Sequence, residues 1–288
     1  MTKVSRRNFI VTGAAAAGAA WLARPQLAFA GKEASREEYG GFEMSLQTNI
    51  LGQYTQDLDE IIELTADFGL NWIEFANWHY EQTDDEDRIA EVQAKLEPHE
   101  MQIDGYFLGD ITGDDEAAHR ANFEFARRNG ASVLVGQPAE EAFPILDQLV
   151  REYEDMRVAI HNYGPGAQYD YVEDMIVAAA PWDWRIGYCL DTGHLMRTGE
   201  DPVEAVRRLG TRLHGIHLRE HESITRQADL PETIVGEGAL DLEEFCRALR
   251  EVNFVGPLTL EIYYDPADPI EPIRQSLANF AEAARATA

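Results

Sequence analysis

The sequence predicts a single (β/α)8 barrel that follows an export signal. Three observations support this fold class: short apolar runs alternate with longer stretches of helical period, the alternation repeats eight times, and no stretch between the units looks like an interdomain linker. Eight strand–helix units in about 250 residues match the size and order of such a barrel. A doubly wound open sheet is the competing arrangement, but it does not require eight consecutive units without a break.

The first 30 residues have the features of a twin-arginine export signal. They combine the pair Arg6-Arg7 with an apolar run rich in Ala and Gly and a final A-F-A. The apolar run is short and is interrupted by Arg24 and Pro25, which disfavours a transmembrane helix. We therefore expect cleavage after Ala30, export to the cell surface, the periplasm or the medium, and no stable membrane insertion of the mature chain. Retention of the leader as an N-terminal anchor is the alternative.

The mature chain is expected to be strongly acidic. The whole chain carries 52 acidic residues against 24 lysines and arginines, which gives a net charge of −28. The leader holds four of the basic residues and no acidic one, so its removal changes the net charge to −32. Such a field repels nucleic acid and anionic membranes, and it suits high salt, where screening relieves self-repulsion. We interpret it as a halophilic surface, with an ordinary acidic secreted protein as the alternative.

Each predicted strand is followed by a predicted helix, after a polar linker over residues 31–41, and the barrel is expected to span residues 42–288. The predicted strands are FEMSLQ (42–47), NWIEFA (71–76), QIDGYF (102–107), SVLVGQ (132–137), RVAIHN (157–162), RIGYCLD (185–191), LHGIHLR (213–219) and PLTLEIY (257–263). The predicted helices cover residues 55–69, 84–98, 114–129, 139–154, 168–180, 201–209, 241–252 and 268–286. In the helix that starts DLEE, Asp241 can cap and Glu244 can reach back, as in a capping box. Cys189 falls in a strand and Cys246 in a helix, so two buried free thiols are expected.

Polar side chains recur at the C-terminal ends of the predicted strands, where a barrel of this kind carries its chemistry. His161, Asp191, His217 and Glu261 come from the fifth to the eighth strand, and side-chain alternation turns each of them inward. One inward histidine alone is more often a hydrogen-bonded core residue. Two imidazoles and two carboxylates from consecutive strands instead form a mixed nitrogen and oxygen set, which suits a divalent metal such as Mn, Co, Fe or Zn.

Other residues near the strand ends are candidates for substrate contacts. His194 lies three residues beyond Asp191, in the predicted loop, and is a better candidate for a substrate contact than for a metal ligand. Near the second and third strand ends lie polar and aromatic residues that could line the substrate side: Glu74, Tyr106, Trp78 and His79. Aromatic rings at such a mouth stack on sugar faces, but they also plug barrels, and the sequence leaves both roles open.

Several of these runs resemble one family. CLDTGHLMRTGEDP, IHLRE, VGEGALDLEEF and GPLTLEIYYDP resemble the xylose isomerase-like barrels known as sugar phosphate isomerases/epimerases, most specifically over residues 157–266. The resemblance implies one divalent metal ion, Mn, Co, Zn, Fe or Mg, held at strand ends by Glu, Asp, His and Glu. Asp191, His217 and Glu261 fall on three of these positions. His194 falls on the family's substrate-binding histidine, and Arg219 on the basic residue after the ligand histidine.

The fourth ligand position departs from the family pattern. His161 stands where many members have a glutamate, and Tyr163 stands where they have a second histidine. In the epimerases of this family, two metal-bound carboxylates flank the substrate and move protons on opposite faces. The present chain lacks one of these two carboxylates.

The leading prediction is a divalent-metal-dependent isomerase or epimerase that acts on a sugar or keto-polyol through an enediolate. Glu261 is the candidate base, and His194 and Arg219 are expected to orient the oxygens that gain charge. A lyase acting on a keto-sugar or 3-keto-glycoside at the same metal site is the first alternative, and a non-catalytic, metal-bearing sugar-binding protein is the second. The expected partner is a small carbohydrate and not nucleic acid. Which sugar binds, which metal is native and whether a homo-oligomer forms are left open.

Overall fold

Eight parallel strands close into one barrel in the computed structural model, which describes residues 36–265 and 267–288. The barrel follows chain order, and the last strand closes on the first through the pairs Met44 with Leu258 and Leu46 with Leu260. All eight predicted strands are confirmed. They are β1 (Met44–Gln47), β2 (Trp72–Ala76), β3 (Gln102–Ile111), β4 (Val133–Pro138), β5 (Arg157–His161), β6 (Ile186–Asp191), β7 (Leu213–Leu218) and β8 (Leu258–Leu260). The predicted signal peptide lies outside the described residues.

Helices surround the barrel, and each predicted helix is present with shorter ends. They are α1 (Leu58–Asp67), α2 (Glu86–Leu96), α3 (Glu116–Arg128), α4 (Phe143–Glu152), α5 (Val172–Ala179), α6 (Thr192–Met196), α7 (Pro202–Leu209), α8 (Leu242–Glu251) and α9 (Ile270–Ala286). Short 3-10 turns cover Thr48–Leu51, Glu97–His99, Glu140–Ala142 and Gly210–Arg212.

Aspartate caps explain where most of these helices begin. The side chains of Asp57, Asp85, Asp115, Asp201 and Asp241 each accept a hydrogen bond from a backbone N–H of the first turn of the helix that follows. A cap of this kind satisfies a donor that the helix itself cannot pair, and its loss typically costs about 1 kcal/mol. The predicted capping box at Asp241 is only half formed, because Glu244 pairs with Arg207 and Arg247 instead.

The apolar core lies between the outer faces of the strands and the helices, whereas the inside of the barrel is partly polar. On the β4 to β6 side the interior is filled by Val133, Val135, Ala159 and Cys189, together with Phe107. On the opposite side it holds buried polar side chains, which are Ser45, Gln47, Glu74, Asp104, His217 and Thr259. Buried polar groups need partners, so this half of the interior marks the part of the fold that is built for something other than packing.

A β-bulge in β3 changes which residues face the barrel mouth. The register of β3 against β2 shifts after Ile73, so that Glu74 pairs with Gly105 and Asp104 becomes the extra residue. Such an insertion reverses the side-chain alternation beyond it. Phe107 therefore points inward, and Tyr106 points outward to the helices.

Three further features were not in the predicted pattern. His194 lies in the short helix α6 and not in a loop, because Asp191 caps this helix and accepts from the His194 amide. A two-stranded antiparallel ribbon pairs Glu220–His221 with Glu232–Thr233 beyond β7. The end of the predicted linker packs on the barrel, since Tyr39 is buried against Phe280 of α9.

Within residues 36–265 and 267–288, no helix has both the length and the apolar character needed to cross a bilayer.

Candidate metal centre

The four predicted metal ligands come together at the C-terminal ends of β5 to β8. One ligand atom from each of His161, Asp191, His217 and Glu261 lies within 4.8 Å of the other three. His161 Nε2 is 3.0 Å from His217 Nδ1, 3.8 Å from Asp191 Oδ2 and 4.0 Å from Glu261 Oε2. All four side chains are buried, although Glu261 lies one residue beyond the end of β8.

The geometry and the unpaired atoms of this cluster fit a small divalent ion. Asp191 Oδ2 and Glu261 Oε2 are buried, and neither accepts a hydrogen bond of normal geometry from the described residues, although His217 Nδ1 lies 2.6 Å from Glu261 Oε2. Two carboxylates buried this close together are costly unless a cation neutralises them. Ligand atoms at about 2.1 Å from a tetrahedrally bound ion are about 3.4 Å apart, which falls within the range of separations found here. The residues present therefore fit a divalent metal, with His161 as the second nitrogen ligand.

The two carboxylates of the cluster differ in their electrostatic surroundings. Burial raises the pKa of Asp191, and the nearby Arg219, whose Nη1 lies 3.6 Å from Asp191 Oδ2, offsets this only in part. Burial also acts to raise the pKa of Glu261, but the charge and hydrogen bond of His217, together with the charge of Arg219, outweigh it, and the pKa of Glu261 is lowered. His217 Nδ1 lies 2.6 Å from Glu261 Oε2. Glu261 is therefore the carboxylate that stays ionised most readily.

Glu74 lies beneath the cluster and does not face the substrate side. Its Oε1 is 2.8 Å from His217 Nε2, the ring nitrogen on the other side from the Nδ1 that faces Glu261. Glu74 is 1% exposed and His217 is fully buried. Burial alone would lower the pKa of His217, but the acidic groups around it, Cys189, Glu74 and Glu261, raise it overall. Glu74 is thus a carboxylate behind a ligand histidine, an arrangement that orients the ring of such a ligand.

His194 and Arg219 are buried beside Asp191 in the cluster. His194 Nε2 is 3.9 Å from Asp191 Oδ2 and 3.2 Å from Arg219 Nη1. The guanidinium of Arg219 is held by Glu232 at 2.7 Å and by the ring of Tyr263, whose centroid is 4.8 Å away. Burial, followed by the charge of Arg219, keeps the pKa of His194 well below its usual value. His194 is therefore a neutral imidazole beside a fixed cation.

Aromatic rings form one wall next to the cluster. The ring centroid of Phe107 is 5.4 Å from that of His161 and 5.8 Å from that of His217. Tyr163 stacks on His194 at 4.7 Å, and its ring also meets the edge of His161 at 4.8 Å. Trp78 contacts Phe107 edge-on at 5.9 Å and is 47% exposed, so it lies at the rim of this wall.

Two other residues predicted for the substrate side lie elsewhere. Tyr106 donates a hydrogen bond to the carbonyl of Tyr80 and packs on Phe125 of α3, so it does not face the cluster; the bulge in β3 is the reason. His79 is half-buried between loops, where Nδ1 lies 3.0 Å from Thr48 Oγ1. Tyr106 and Trp78 border a cavity of about 450 Å³ between the loops after β2 and β3, but none of the four ligands lines it.

Comparison with known proteins agrees with this fold. The family model described as xylose isomerase-like TIM barrel matches residues 62–283, well over half of the chain. The chain belongs to the xylose isomerase-like TIM barrel family. The barrel and the family expected from the sequence are therefore confirmed.

The similar proteins comprise a curated sequence relative and solved structures with the same fold. An inosose dehydratase of Clostridium botulinum (strain Eklund 17B / Type B) is 30% identical over 142 residues, which cover 44% of this chain and 47% of that protein. The chain thus matches about half the length of this curated relative. Three solved structures share the fold at 14–17% identity. The probable 3-DHS dehydratase AsbF of Bacillus anthracis is 14% identical with a TM-score of 0.66, and the match covers 82% of this chain and 97% of that one. The IOLI protein with a zinc atom is 17% identical with a TM-score of 0.63, and a D-psicose 3-epimerase is 14% identical with a TM-score of 0.60. Each of these two matches covers 85% of this chain and 96% of the other.

Sequence reasoning missed three residues that contact the candidate site. The Tyr263 hydroxyl donates to Glu261 Oε1 at 2.7 Å, Glu232 binds Arg219, and Arg197 contacts Nδ1 of His194. Tyr263 was accessible from the sequence, because it lies two residues after Glu261 and so shares its face. Arg197 was accessible only through helix α6, where it is the i+3 neighbour of His194. Glu232 has no local signal, since the ribbon that places it is not predictable from its two-residue strands.

Proposed function

We propose that this protein is a metal-dependent dehydratase that removes water from a keto-polyol, either cyclic or open-chain. The observation that carries the proposal is the replacement of one family glutamate by His161, because of the two carboxylates left in the cluster Asp191 caps helix α6, and Glu261 remains as the candidate base. Epimerisation needs a proton acceptor on one face of the carbon and a proton donor on the other. Dehydration needs only one base if the proton taken from carbon is returned to the leaving hydroxyl on the same face.

Glu261 is the proton carrier in the proposed reaction. It takes the proton from the carbon next to the substrate carbonyl, and the electron pair of that C–H bond forms the enediolate or enolate. The electrons then return to form the carbon–carbon double bond as the β-hydroxyl leaves. The same carboxyl gives its proton to this hydroxyl, so that one water molecule is released and no other reactant is consumed. Tyr263, which donates to Oε1 of Glu261, holds the carboxyl in place during both transfers.

His194 and Arg219 stabilise the oxygen on which charge develops. Arg219 is always charged, and it is fixed by Glu232 and Tyr263, so it needs no reorientation during the reaction. His161, Asp191, His217 and Glu261 would hold the divalent ion, which when bound supplies Lewis-acid polarisation of the carbonyl. Tyr163, Phe107 and Trp78 give the substrate an aromatic surface on one side.

The relatives lend support to this choice of reaction. The 30%-identical relative is an inosose dehydratase. The likeness to the structures carries the fold alone. The leader and the net charge of −28 further support a proposal that the protein acts outside the cytoplasm at high salt.

The test is an assay with an inosose as the probe, run in D₂O with added Zn, Mn or Co and followed by NMR. We expect loss of substrate with release of water, and we expect the Glu261→Gln variant to lose about 10²- to 10⁴-fold in rate. The exposed Glu271→Gln serves as the matched control and should retain full activity.

Each other outcome of this assay rejects dehydration in favour of a stated alternative. Deuterium incorporation into the inosose without elimination would support the isomerase or epimerase that the sequence first predicted. Binding of the probe without any exchange, at full metal loading, would support the sugar-binding protein.

A further inference from the structure

A cavity next to the candidate metal centre takes no part in the proposed reaction. It lies between the loop after β2, the end of β3 and the first two turns of α3, and none of the four metal ligands lines it. Its volume of about 450 Å³ falls within the range of about 300 to 1,000 Å³ that is usual for small-molecule sites. This space is the β2–β3 cavity.

The length of β3 explains why the β2–β3 cavity exists. β3 has ten residues and β2 has five, and the pairing between the two strands ends at Ala76 with Phe107. Beyond this point β3 continues to Ile111 beside β4. The space next to this extension is bordered on one side by Leu108 and Asp110 of β3 and on the other by the loop after β2.

Hydrogen bonds within the protein hold the walls of the cavity in place. Asn77 donates from Nδ2 to the carbonyl of Leu108 at 3.1 Å, which ties the loop after β2 to the end of β3. His119 of α3 is 4% exposed, and its Nε2 lies 3.0 Å from the carbonyl of Gly113. Because these contacts already fix the loops, binding of a ligand does not include the cost of ordering them.

Polar side chains line the cavity and have hydrogen-bonding capacity to spare. Within the described residues, five lining side chains form no hydrogen bond or ion pair, and they are Glu81, Gln82, Asp110, Thr112 and Asn122. Two of them are amides and one is a hydroxyl, which both donate and accept, and two are carboxylates, which accept when ionised. Since a sugar hydroxyl also donates and accepts, this set can bind several hydroxyls of one ring.

Trp78 gives the cavity a large apolar surface. Its ring meets Phe107 edge-on at 5.9 Å, and the residue is 47% exposed, so much of the indole is open to a ligand. Leu108 and Ile111 add further apolar groups to the lining. An aromatic ring beside hydrogen-bonding groups suits a ligand that has an apolar face and polar edges. A sugar ring has this character, because its C–H bonds form a face and its hydroxyls point outward.

The charge of the lining disfavours an anionic ligand. The described lining residues include the acidic Glu81 and Asp110 and no lysine or arginine, and the whole chain has a net charge of −28. Such a field repels a phosphate or a carboxylate. A cation gains little from Glu81 and Asp110, because both are exposed and exposed ion pairs contribute little. The lining therefore favours an uncharged ligand.

We propose that the β2–β3 cavity binds one uncharged sugar ring, which stacks on Trp78 and forms hydrogen bonds with Gln82 and Asn122. The site depends on neither the metal nor the proposed dehydration, and it goes beyond both. Phe107 separates it from the metal centre, since its ring contacts that of Trp78 at 5.9 Å and that of His161 at 5.4 Å. The protein thus holds a sugar beside its candidate metal centre and not in it.

The experiment is ¹⁵N NMR of the tryptophan indole N–H groups in the full-length, zinc-loaded protein, titrated with the methyl α- and β-glycosides of D-glucose and D-galactose. The Trp78 signal is assigned by its loss in Trp78→Phe. We expect at least one glycoside to shift this signal in a saturable way, with a Kd on the order of 1 mM for a single ring. Glucosamine and glucose 6-phosphate, which carry a charge, should bind more weakly.

A variant that fills the cavity tests where the sugar binds. Ala118 lines the cavity, its neighbour Ala117 on α3 does not, and both are exposed. Ala118→Leu should abolish the saturable shift, because the added side chain occupies the space of the ring. Ala117→Leu is the matched control and should bind as the wild type does. Asn122→Ala should weaken binding about fivefold, the effect of one lost hydrogen bond.

Binding should also be independent of the metal centre. Asp191→Ala, and the wild type stripped of metal, should bind the same glycoside with unchanged affinity. Loss of binding in both would place the sugar at the metal centre and overturn the inference.

Three other results would overturn it as well. They are no saturable shift with any of the four glycosides, wild-type affinity in both Ala118→Leu and Asn122→Ala, and tighter binding of either charged sugar. Thermal melts show whether each variant is folded. Because the measurement needs no turnover, failure of the proposed dehydration would leave this inference standing.

Discussion

Replacement of Glu74 by glutamine should weaken metal binding although Glu74 is not itself a predicted ligand. Its Oε1 lies 2.8 Å from Nε2 of His217, and both side chains are buried. A ligand histidine is neutral, so His217 keeps one proton on Nε2, and the Glu74 carboxylate accepts it and holds Nδ1 toward the metal position. Loss of such a carboxylate typically lowers metal affinity about 10- to 100-fold, or about 1.4 to 2.8 kcal/mol.

The assay is competition for zinc against a chromophoric chelator, with the free energy of unfolding measured in parallel. Gly105→Ala should act in the same direction, because a Cβ at position 105 would lie 2.7 Å from Glu74 Oε2 and displace the carboxylate. Asp170→Asn is the matched control, since Asp170 is a buried carboxylate that pairs with Arg226 and does not belong to the cluster of four ligands. Affinities within twofold of wild type for both Glu74→Gln and Gly105→Ala would refute the reasoning.

Three further predictions concern pH, salt and thiol chemistry. Burial, with the charge of Glu74, raises the pKa of Asp104 to about 7, so the free energy of unfolding should fall as the pH rises from about 4 to about 7. In urea melts over this range, Asp104→Asn should become more stable relative to wild type. The same stability difference at pH 4 and pH 7 would contradict this. The melting temperature should rise when NaCl goes from about 0.1 M to about 1 M, because the Debye length falls from about 10 to about 3 Å, and a flat response would reject the halophilic interpretation. Cys189 and Cys246 are both buried, which raises the pKa of Cys189 to about 11 and that of Cys246 to about 12. At pH 8 a thiol reagent should therefore label them only after denaturation. Labelling of the folded protein would contradict their burial.

The sequence was sufficient to predict the barrel because each unit carries its own local signals. Apolar alternation marks the strands, and aspartates such as Asp57 and Asp85 mark the helix starts. The four ligands could be predicted for the same reason. The register of β7 against β6 shifts before Gly215, so the alternation over the last residues of β5 to β8 is still regular and turns His161, Asp191, His217 and Glu261 inward together.

The remaining features depend on contacts between distant segments. The bulge in β3 exchanges Tyr106 for Phe107 at the mouth, and it arises from the register between β2 and β3, which no local pattern records. Glu74 was expected to face the substrate, but its position under His217 is a contact between β2 and β7 across the barrel. Arg197 reaches His194 only because Asp191 both faces the site and caps α6.

The central claim is that four strand ends hold one divalent ion, and metal analysis of the purified protein tests it most directly. Wild-type protein purified in high salt should contain about one divalent ion per chain, and His161→Ala and Asp191→Ala should both lose it. His99→Ala, at the opposite end of the barrel between α2 and β3, should keep it. Full retention of the ion in Asp191→Ala, or no bound ion in wild type after loading with Zn, Mn, Co, Fe or Mg, would contradict the account. Loss in Asp191→Ala but not in His161→Ala would remove His161 from the ligand set.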